Sequence, residues 1–413
     1  MSRSIRVAQE WLPRVRAALA RNGYTSQQVF SEDVQLAKAT VSKFFTGKPI
    51  SYINFTEICA KLGYNPQEIG RVSAERSEEK VELEESAEIY VERPAIEKKC
   101  NLEILQPGAL IRIRAPKQMG KTLLAHKIIG ETTKLSYAQV YLSLQDIDRC
   151  YLQELNKFLQ QLCLEISDRL QLDIRLSQYW DETISSKRNF IKFFERYILG
   201  DRTSALVLCF DDIDLILPYP EVAEDFFSLL RSLHERAKRN VLWKKLRIII
   251  IYATEIFLPL DINHSPFNVG LSIELPPFNL AQVSELSEKI GVTLQADKIK
   301  KLMDLLNGHP ALIEKTFKDL KLEPSVTLEE LLDDATTQSG IYSTHLQILL
   351  SELKKNPELQ IPFSRVISSK IAIKLDTIVG YKLHSLGLIY YQGDKVVVSC
   401  NLYRLYFQDR LAS

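Results

Sequence analysis

The stretch ALIRIRAPKQMGKT, residues 109–122, determines the fold expected of this chain. It reads as an apolar strand, a turn and the triplet Gly120-Lys121-Thr122. This order is typical of a phosphate loop, in which a buried strand leads into a turn whose backbone N–H groups face an anion. A helix that begins at Gly120 and Lys121 would direct its positive end at the same anion. The residues expected to contact a bound nucleotide here are Pro116, Lys117, Gln118, Met119, Gly120, Lys121 and Thr122.

Two side chains carry the chemistry expected of this loop. Lys121 would reach the terminal phosphates and act in catalysis, and the Thr122 hydroxyl would ligate Mg²⁺. The loop departs from the usual pattern at one position, where Ala115 replaces the first glycine. Alanine is compatible with a negative φ and adds little volume, so we interpret the loop as a variant. A chance Gly-Lys-Thr triplet is the alternative, but it does not account for the whole strand–turn–helix pattern.

A second apolar strand, residues 204–210, ends in Asp211 and Asp212. Its continuous apolar character is typical of a strand buried on both faces of a parallel sheet. The strand tip would place Asp211 beside Thr122 to hold Mg²⁺ through a water molecule, and Asp212 would orient or deprotonate attacking water. Aspartate is one methylene shorter than the glutamate common there, so any hydrolysis of ATP is expected to be slow. Acidic residues that merely cap a strand are the alternative.

A third apolar strand, residues 247–252, is followed by Thr254. Thr254 would sense the γ-phosphate through water, which makes it a third catalytic candidate, and threonine also favours a helix N-cap. Strands separated by helical stretches predict an α/β domain with three layers and a parallel sheet, which binds its ligand at the carboxyl ends of the strands. The expected strands are residues 109–114, 138–143, 205–210, 247–252 and 271–275.

The composition of the chain is that of an ordinary globular protein. With 413 residues it should contain two to four domains, and 46% hydrophobic and 25% charged residues are usual values. No apolar run reaches the ~20 residues of a membrane span, and the first residues lack the apolar stretch of a signal peptide. The six cysteines are scattered without metal-ligand spacing. We therefore expect a cytoplasmic protein with reduced thiols, no membrane contact and no zinc site.

The N-terminal region is expected to consist of short helices. Residues 7–22 have a helical apolar period that stops at Gly23, and residues 53–62 form a further helix. Between them, residues 36–48 give a helix with Val41, Phe44 and Phe45 facing inward. This region carries nine basic and five acidic residues over positions 1–70, a net charge of +4. The acidic stretch that follows, residues 76–88, is typical of a solvated linker.

These helices resemble the Cro/repressor type of helix-turn-helix, whose second helix enters the major groove of double-stranded DNA. The resemblance implies that the DNA-binding residues are Lys38, Thr40, Lys43 and Lys48, with Ala39 also facing the bases. The pattern is degenerate, however, and a charge of +4 is modest for DNA binding. A protein-docking module and a purely structural cap therefore remain alternatives.

From residue 90 onward the chain resembles the AAA-like ATPase domain of many cyanobacterial proteins, part of the signal-transduction ATPases with numerous domains (STAND). The matching motifs are YVERP (90–94), the phosphate loop with its strand (107–122), YPEVAEDFF (219–227), SPFNVG (265–270) and GHP (308–310). The resemblance implies a P-loop NTPase core that binds ATP or ADP with Mg²⁺. It also implies that Arg93 and its neighbours pack on the adenine and that Pro310 belongs to a helical lid over the nucleotide. Arg231 is a candidate for an arginine finger, although a solvated helix face explains it better.

The C-terminal region combines helices with a hairpin. Helical stretches are expected at residues 342–353 and 376–385, followed by strands at 387–391 and 395–399 around a glycine-containing turn. This order suggests a winged helix. It would either contact DNA through Lys374, Lys382 and Lys395 or, as the STAND resemblance implies, pack on the ATPase core and stabilise its closed state.

The resulting prediction is an α/β P-loop NTPase flanked by two smaller domains. The expected segments are an all-α helix-turn-helix domain (1–70), an acidic linker (71–89), the ATPase core (90–278), the helical lid (279–340) and a winged-helix domain (341–413). The chain would act as a nucleotide-controlled switch that binds DNA or a regulatory protein, with a nucleotide-dependent homo-oligomer among its expected assemblies. The alternatives are a non-hydrolysing DNA-binding regulator with structural nucleotide and a signalling or conflict-system scaffold without DNA contact.

Overall fold

The structure is a computed structural model of the 413-residue chain, which consists of two compact units, Met1–Glu85 and Ser86–Ser413. The residues that it describes are 4–8, 11–22, 24, 26–34, 36, 38–48, 50–64, 66–72, 89–253 and 266–411.

The first unit contains five helices and three short strands within its described residues. They are β1 (Ser4–Val7), α1 (Leu12–Arg21), α2 (Gln27–Asp33), α3 (Lys38–Phe45), β2 (Ile50–Ser51), α4 (Tyr52–Leu62), α5 (Pro66–Ile69) and β3 (Gly70–Val72). The strands form an antiparallel sheet with β1 between β2 and β3. The inward face predicted for α3 is confirmed, because Val41, Phe44 and Phe45 are all buried.

The prediction of an all-α N-terminal domain was wrong. Val7, which was assigned to the first helix, lies in β1 and pairs with Gly70 of β3. Pro13 explains the later helix start, because proline is tolerated in the first turn of a helix but not in its interior. Helix α1 accordingly begins at Leu12. The strand partners of β1 are more than forty residues away in sequence, so no local pattern indicates them.

The second unit contains the remaining elements of the described chain. Its strands are β4 (Leu110–Arg114), β5 (Ala138–Ser143), β6 (Leu206–Asp211), β7 (Leu246–Tyr252), β8 (Leu271–Glu274), β9 (Ile389–Gln392) and β10 (Lys395–Val398). Its helices are α6 (Pro94–Ile104), α7 (Lys121–Thr133), α8 (Arg149–Leu152), α9 (Leu155–Arg169), α10 (Ser186–Phe193), α11 (Pro220–Arg239), α12 (Leu280–Ile290), α13 (Ala296–Leu306), α14 (Pro310–Leu322), α15 (Leu328–Asp333), α16 (Ser343–Lys355), α17 (Pro357–Ser368), α18 (Thr377–Ser385) and α19 (Asn401–Gln408).

Five parallel strands form the central sheet, in the order β5-β6-β7-β4-β8. All five strands expected from the sequence are therefore confirmed. The strand that leads into the phosphate loop, β4, is separated from the acidic strand β6 by β7. All residues of β6 and β7 are buried, as the continuous apolar runs predicted.

The side chains of the sheet alternate between two hydrophobic cores. In β6, Leu206, Leu208 and Phe210 pack with helices α8 to α11, whereas Val207 and Cys209 pack with α6 and α7. This alternation follows from the two-residue period of a strand. The unit therefore has helices on both faces of the sheet, and the carboxyl ends of the strands remain open for a ligand.

The helices that follow the sheet share one further hydrophobic core. Helices α12 to α15 and the C-terminal elements from α16 to α19 contribute to a single cluster, which also contains Val91 and Phe278. The predicted helices near residues 342 and 376 and the hairpin are present, with Asp376 as the N-cap of α18. Helices α17 and α19, which pack against each other, were not predicted.

Within the described parts of the chain, no helix combines the length and apolar character needed to cross a bilayer.

Candidate nucleotide-binding site

The phosphate loop connects β4 to α7 at the carboxyl edge of the sheet. Gly120 is the N-cap of α7 and has a left-handed backbone with φ 87°. Gln118 is also left-handed, with φ 65°. Glycine adopts such angles without strain, whereas other residues pay a cost of about 1 kcal/mol. The helix thus begins where the sequence predicted, with its N-terminal N–H groups directed at the loop.

Lys121 lies at the mouth of the loop. Its Nζ donates hydrogen bonds of 2.9 Å to the carbonyl oxygens of Ala115 and Pro116. Burial lowers the pKa of Lys121, while the charges of Asp214 and the two preceding aspartates oppose that shift. The ammonium is therefore held among acceptors at the strand tips, where an anionic ligand would compete for it.

Asp211 and Thr122 are brought together across the sheet. The Thr122 hydroxyl donates a 2.7 Å hydrogen bond to Oδ2 of Asp211, and the Tyr141 hydroxyl donates a 2.6 Å bond to the same oxygen. The second carboxylate oxygen of Asp211 accepts from the backbone N–H of Asp212 at 2.7 Å. A buried carboxylate with three donors has a fixed orientation. Its oxygens and the Thr122 hydroxyl are hard ligands of the kind that Mg²⁺ prefers.

The carboxylate of Asp212 faces the tip of the neighbouring strand β5. Its Oδ2 accepts hydrogen bonds from Ser143 Oγ at 3.1 Å and from Gln145 Nε2 at 2.9 Å. The backbone of Asp212 is left-handed, with φ 55°. Burial and the neighbouring charge of Asp211 raise its pKa, although the two hydrogen bonds oppose the shift. A raised pKa moves a carboxylate towards the range in which it can accept a proton near neutral pH.

The third catalytic candidate, Thr254, lies outside the described residues. The last described residue before it, Ala253, donates its backbone N–H to Asp214 Oδ1 at 3.1 Å. The tip of β7 is thereby tied to the acidic run that follows β6.

An open cleft of about 260 Å³ lies between the phosphate loop and helices α12 and α14. One end is formed by the loop itself and by the start of α7. The other end is mostly apolar and includes Val91, Phe278, Leu286 and Pro310. The complete lining is Ile89, Tyr90, Val91, Arg93, Gln118, Met119, Gly120, Lys121, Thr122, Leu123, Phe278, Leu286, Pro310, Ala311 and Glu314. A polar, cationic end next to an apolar end suits a molecule with phosphates and a flat base.

Arg93 holds the two walls of the cleft together. Its guanidinium donates to the carbonyl of Pro276 at 2.7 Å and to that of Met119 at 3.5 Å. The same group lies 4.8 Å above the ring of Phe278. Burial lowers the pKa of Arg93. Because its donors point at protein carbonyls, Arg93 shapes the cleft as well as lining it.

The GHP motif positions Pro310 at the apolar end of the cleft. Gly308 has φ 75°, and a Cβ built there would lie 2.1 Å from the carbonyl oxygen of Phe278. Only glycine fits at this position, because any Cβ would collide with the Phe278 carbonyl. The close approach of the two backbones is also seen in the 2.8 Å hydrogen bond that Phe278 N–H donates to the Gly308 carbonyl. His309 is buried, and its Nδ1 has no hydrogen-bond partner among the residues that the structure describes. Pro310 then begins α14, where a missing N–H costs nothing.

Most of the residues expected to bind nucleotide meet at this cleft. Pro116 and Lys117 are exceptions, since neither lines it, and neither does Arg231, which lies on α11. The expected DNA-binding residues belong to the other unit. Lys38 and Thr40 lie in α3, Lys43 and Lys48 are exposed, Thr40 is half-buried, and the side chain of Lys38 is outside the described part.

The polar residues in and just after β5 that contact the two aspartates were not predicted from the sequence. Tyr141, Ser143 and Gln145 stand at the carboxyl end of this strand or just after it. The available signal was their position, because the tips of adjacent parallel strands converge. Neither their residue types nor their spacing distinguishes them from ordinary surface positions.

Comparison with known proteins identifies the family. The family described as AAA-like domain matches residues 78–409. A WD repeat-containing protein of Synechocystis sp. is 27% identical over 135 residues, which cover 32% of this chain but only 11% of that relative's length.

The chain also superposes on solved structures at low sequence identity. A Walker-type ATPase of Pyrococcus abyssi gives a TM-score of 0.54 at 13% identity, covering 77% of this chain and 96% of the other, a likeness that concerns the fold alone. A STAND protein with a tetratricopeptide repeat sensor from Pyrococcus horikoshii gives 0.35 at 16% identity, covering 78% of this chain and 43% of the other. The family match over residues 78–409 shows that this chain belongs to the AAA-like domain family.

Proposed function

We propose that this chain is an ATP-binding molecular switch of the STAND type. One observation carries the proposal: Thr122 and Asp211 meet at 2.7 Å, and Thr122 with Lys121 lines one end of a cleft that helices α12 and α14 also line. A phosphate loop without a metal-side acid would bind anions unspecifically. The pair adds the oxygen ligands that a nucleotide–metal complex requires.

Different side chains would hold the metal ion, the phosphates and the base. When bound, Mg²⁺ would supply positive charge that offsets the charge of the phosphates, and Thr122 and Asp211 are the residues that would hold it. Lys121 and the N-terminal N–H groups of α7 bind the phosphates. Arg93, Val91 and Pro310 shape the site of the base.

Slow hydrolysis of ATP belongs to the same proposal. Asp212 is the residue that would orient or deprotonate the attacking water, and Ser143 and Gln145 hold its carboxylate at the tip of β5. Both hydrogen bonds would have to lengthen or break before the short side chain could turn towards a phosphate. This constraint favours a low rate of ATP hydrolysis and a nucleotide that stays bound for a long time, as expected of a molecular switch.

The N-terminal region would bind DNA or a partner protein, and the C-terminal region would restrain the ATPase core. We infer that residues 1–70, together with Arg71 and Val72 of β3, form a helix-turn-helix module with an added three-stranded sheet, and that residues 341–413 form a winged helix packed on the ATPase core. The linker would follow β3 and reach residue 89, with 90–278 as the ATPase core and 279–340 as the lid. The nucleotide state would then control whether the N-terminal module engages DNA or a partner protein.

The experiment that tests nucleotide binding uses freshly purified wild-type protein. The protein is denatured and the released nucleotide is identified by chromatography. We expect close to one equivalent of adenine nucleotide, mainly ADP, because a switch that hydrolyses ATP slowly would retain its product. An empty protein that also fails to bind Mg²⁺–ATP or Mg²⁺–ADP in a titration would contradict the proposal.

DNA binding by the N-terminal module has its own test. Lys43 and Lys48 are exposed lysines at the end of α3 and just after it. If they contact phosphates, replacing both with alanine should weaken binding to duplex DNA at least about tenfold at low salt and reduce the salt dependence of the affinity. An affinity that is absent in the wild type, or equal in the variant, would leave partner-protein docking as the output.

A further inference from the structure

The apex of the phosphate loop is contacted by a residue from the far end of the chain. Oε1 of Gln118 lies 3.1 Å from Nδ1 of His345, which belongs to α16. The two residues are 227 positions apart. Gln118 lines the nucleotide cleft and has a left-handed backbone. The side chain at the strained apex of the loop is therefore anchored to the C-terminal elements.

His345 is itself held by a second contact. Its Nε2 lies 2.7 Å from the hydroxyl of Tyr403 on α19, and the two rings are stacked, with 5.8 Å between centroids and 17° between planes. An amide oxygen only accepts hydrogen bonds, so Nδ1 must carry the proton that bonds Gln118. Nε2 then accepts from the Tyr403 hydroxyl. The three side chains form one directed chain from α19 through α16 to the loop.

His345 is neutral in this series of hydrogen-bonded side chains. Burial lowers the pKa of His345 to about 4. The neighbouring His309 ring, 5.7 Å away, is also held neutral by burial, which lowers its pKa to about 3. A fixed neutral tautomer gives the Gln118 contact a defined direction across the physiological pH range.

The backbone of the C-terminal elements touches the same loop. Gly387 has φ 76°, and a Cβ built there would lie 3.1 Å from Cβ of Pro116. The lid is tied to these elements as well, since Asn307 Nδ2 donates to the Ser399 carbonyl at 2.8 Å and Asn401 Nδ2 donates to the Asp304 carbonyl at 2.9 Å. His345 therefore stands where the loop, the lid and the C-terminal elements meet.

We propose that His345 is a positioning residue of the nucleotide site, which with Tyr403 holds Gln118 and so couples nucleotide binding to the docking of α16–α19. The inference rests on the proposed function and names the residues through which that function is regulated. The phosphate-facing N–H groups belong to the same short loop as Gln118, so releasing the side chain frees the loop to leave its binding shape. By linkage, a nucleotide that needs the anchored loop must stabilise the docked C-terminal elements by the same factor.

A double-mutant cycle tests this coupling. We would measure the affinities of Mg²⁺–ADP and Mg²⁺–ATP for the full chain carrying Gln118→Ala, His345→Ala, or both. His345→Ala is expected to weaken binding of at least one nucleotide by about tenfold in the wild-type background and by less than about twofold when Gln118 is already alanine. Hydrogen exchange of the α16 amides should slow on nucleotide binding in the wild type and change much less in His345→Ala.

Two further variants separate positioning from simple loss of packing. In His345→Asn, the amide Nδ2 can donate from nearly the position of Nδ1, so affinity should stay within about threefold of the wild type. His384 is another buried histidine of the C-terminal elements, and its ring lies 5.3 Å from that of Tyr391. His384→Ala should leave nucleotide affinity unchanged.

The outcomes distinguish the inference from the proposed function. A wild type that binds no adenine nucleotide contradicts the proposed function itself. If the wild type binds nucleotide but His345→Ala does not weaken binding, the role of His345 is overturned and the proposed function stands. The same conclusion follows if His345→Ala weakens binding equally in the wild-type and Gln118→Ala backgrounds. If His345→Ala proves too unstable to purify, the cycle is run with His345→Gln, whose longer amide cannot keep both contacts, and the same two results apply.

Discussion

Replacing Lys121 with alanine is expected to weaken the binding of Mg²⁺–ATP by about 100-fold, the effect of removing a charge that faces a phosphate in a partly buried site. The Lys121 ammonium lies at the mouth of the loop, among carbonyl oxygens and aspartates. Without it, the phosphates keep the backbone N–H groups, the helix terminus and Mg²⁺ but lose their ammonium contact. A titration with a fluorescent ATP analogue measures the change.

Lys134 provides the matched control for this substitution. It is the C-cap of the same helix, and its side chain pairs with Glu131 at the exposed end. Lys134→Ala removes an equal charge from α7, but far from the loop, and should change the affinity less than about twofold. Equal losses in the two variants would show that net charge, rather than the contact to phosphate, sets the affinity.

Replacing Asp212 with asparagine should reduce ATP hydrolysis by about 100-fold, a usual contribution of a positioned general base, with little loss of nucleotide affinity. Asparagine keeps an oxygen that can accept from Ser143 and Gln145, so the strand tip should retain its arrangement. Phosphate release under single-turnover conditions measures the effect. A variant that hydrolyses ATP at the wild-type rate would remove Asp212 from the mechanism.

The same variant should unfold at a higher denaturant concentration than the wild type at neutral pH. Burial and the Asp211 charge raise the pKa of Asp212, so its ionised form is less favourable in the folded protein than in the unfolded chain. This penalty applies above the carboxylate's pKa and disappears as pH falls and Asp212 becomes protonated. The stability difference between Asp212→Asn and the wild type should therefore shrink with decreasing pH. Asp146→Asn, which changes an exposed carboxylate, should show no such difference.

The central sheet could be predicted from sequence because its strands carry their own signal. Strands β6 and β7 are buried at every position, and buried parallel strands read as uninterrupted apolar runs. The phosphate loop could be predicted for the same reason, since a strand, a turn and a helix start lie within fourteen consecutive residues. A motif contained in one short segment can be recognised without knowing how the rest of the chain packs.

The N-terminal sheet shows the limit of such reasoning. Its strands are two to four residues long and pair with segments far away in sequence. A strand of this length has too few residues to display an alternating pattern, and the helical period around it dominates. Only the folded chain brings Ile5 opposite Ile50 and Val72.

The sequence by itself determined the fold class, the five strands of the sheet and the pair Thr122–Asp211, since parallel strand tips converge wherever such a sheet forms. Tertiary structure alone decided what surrounds that pair. Tyr141, Ser143 and Gln145 act on the aspartates because β5 neighbours β6. His345 reaches Gln118 because one hydrophobic core fixes the C-terminal helices to the lid. Contacts between distant segments depend on how whole elements pack, and a short stretch of sequence does not indicate which distant residues it will contact.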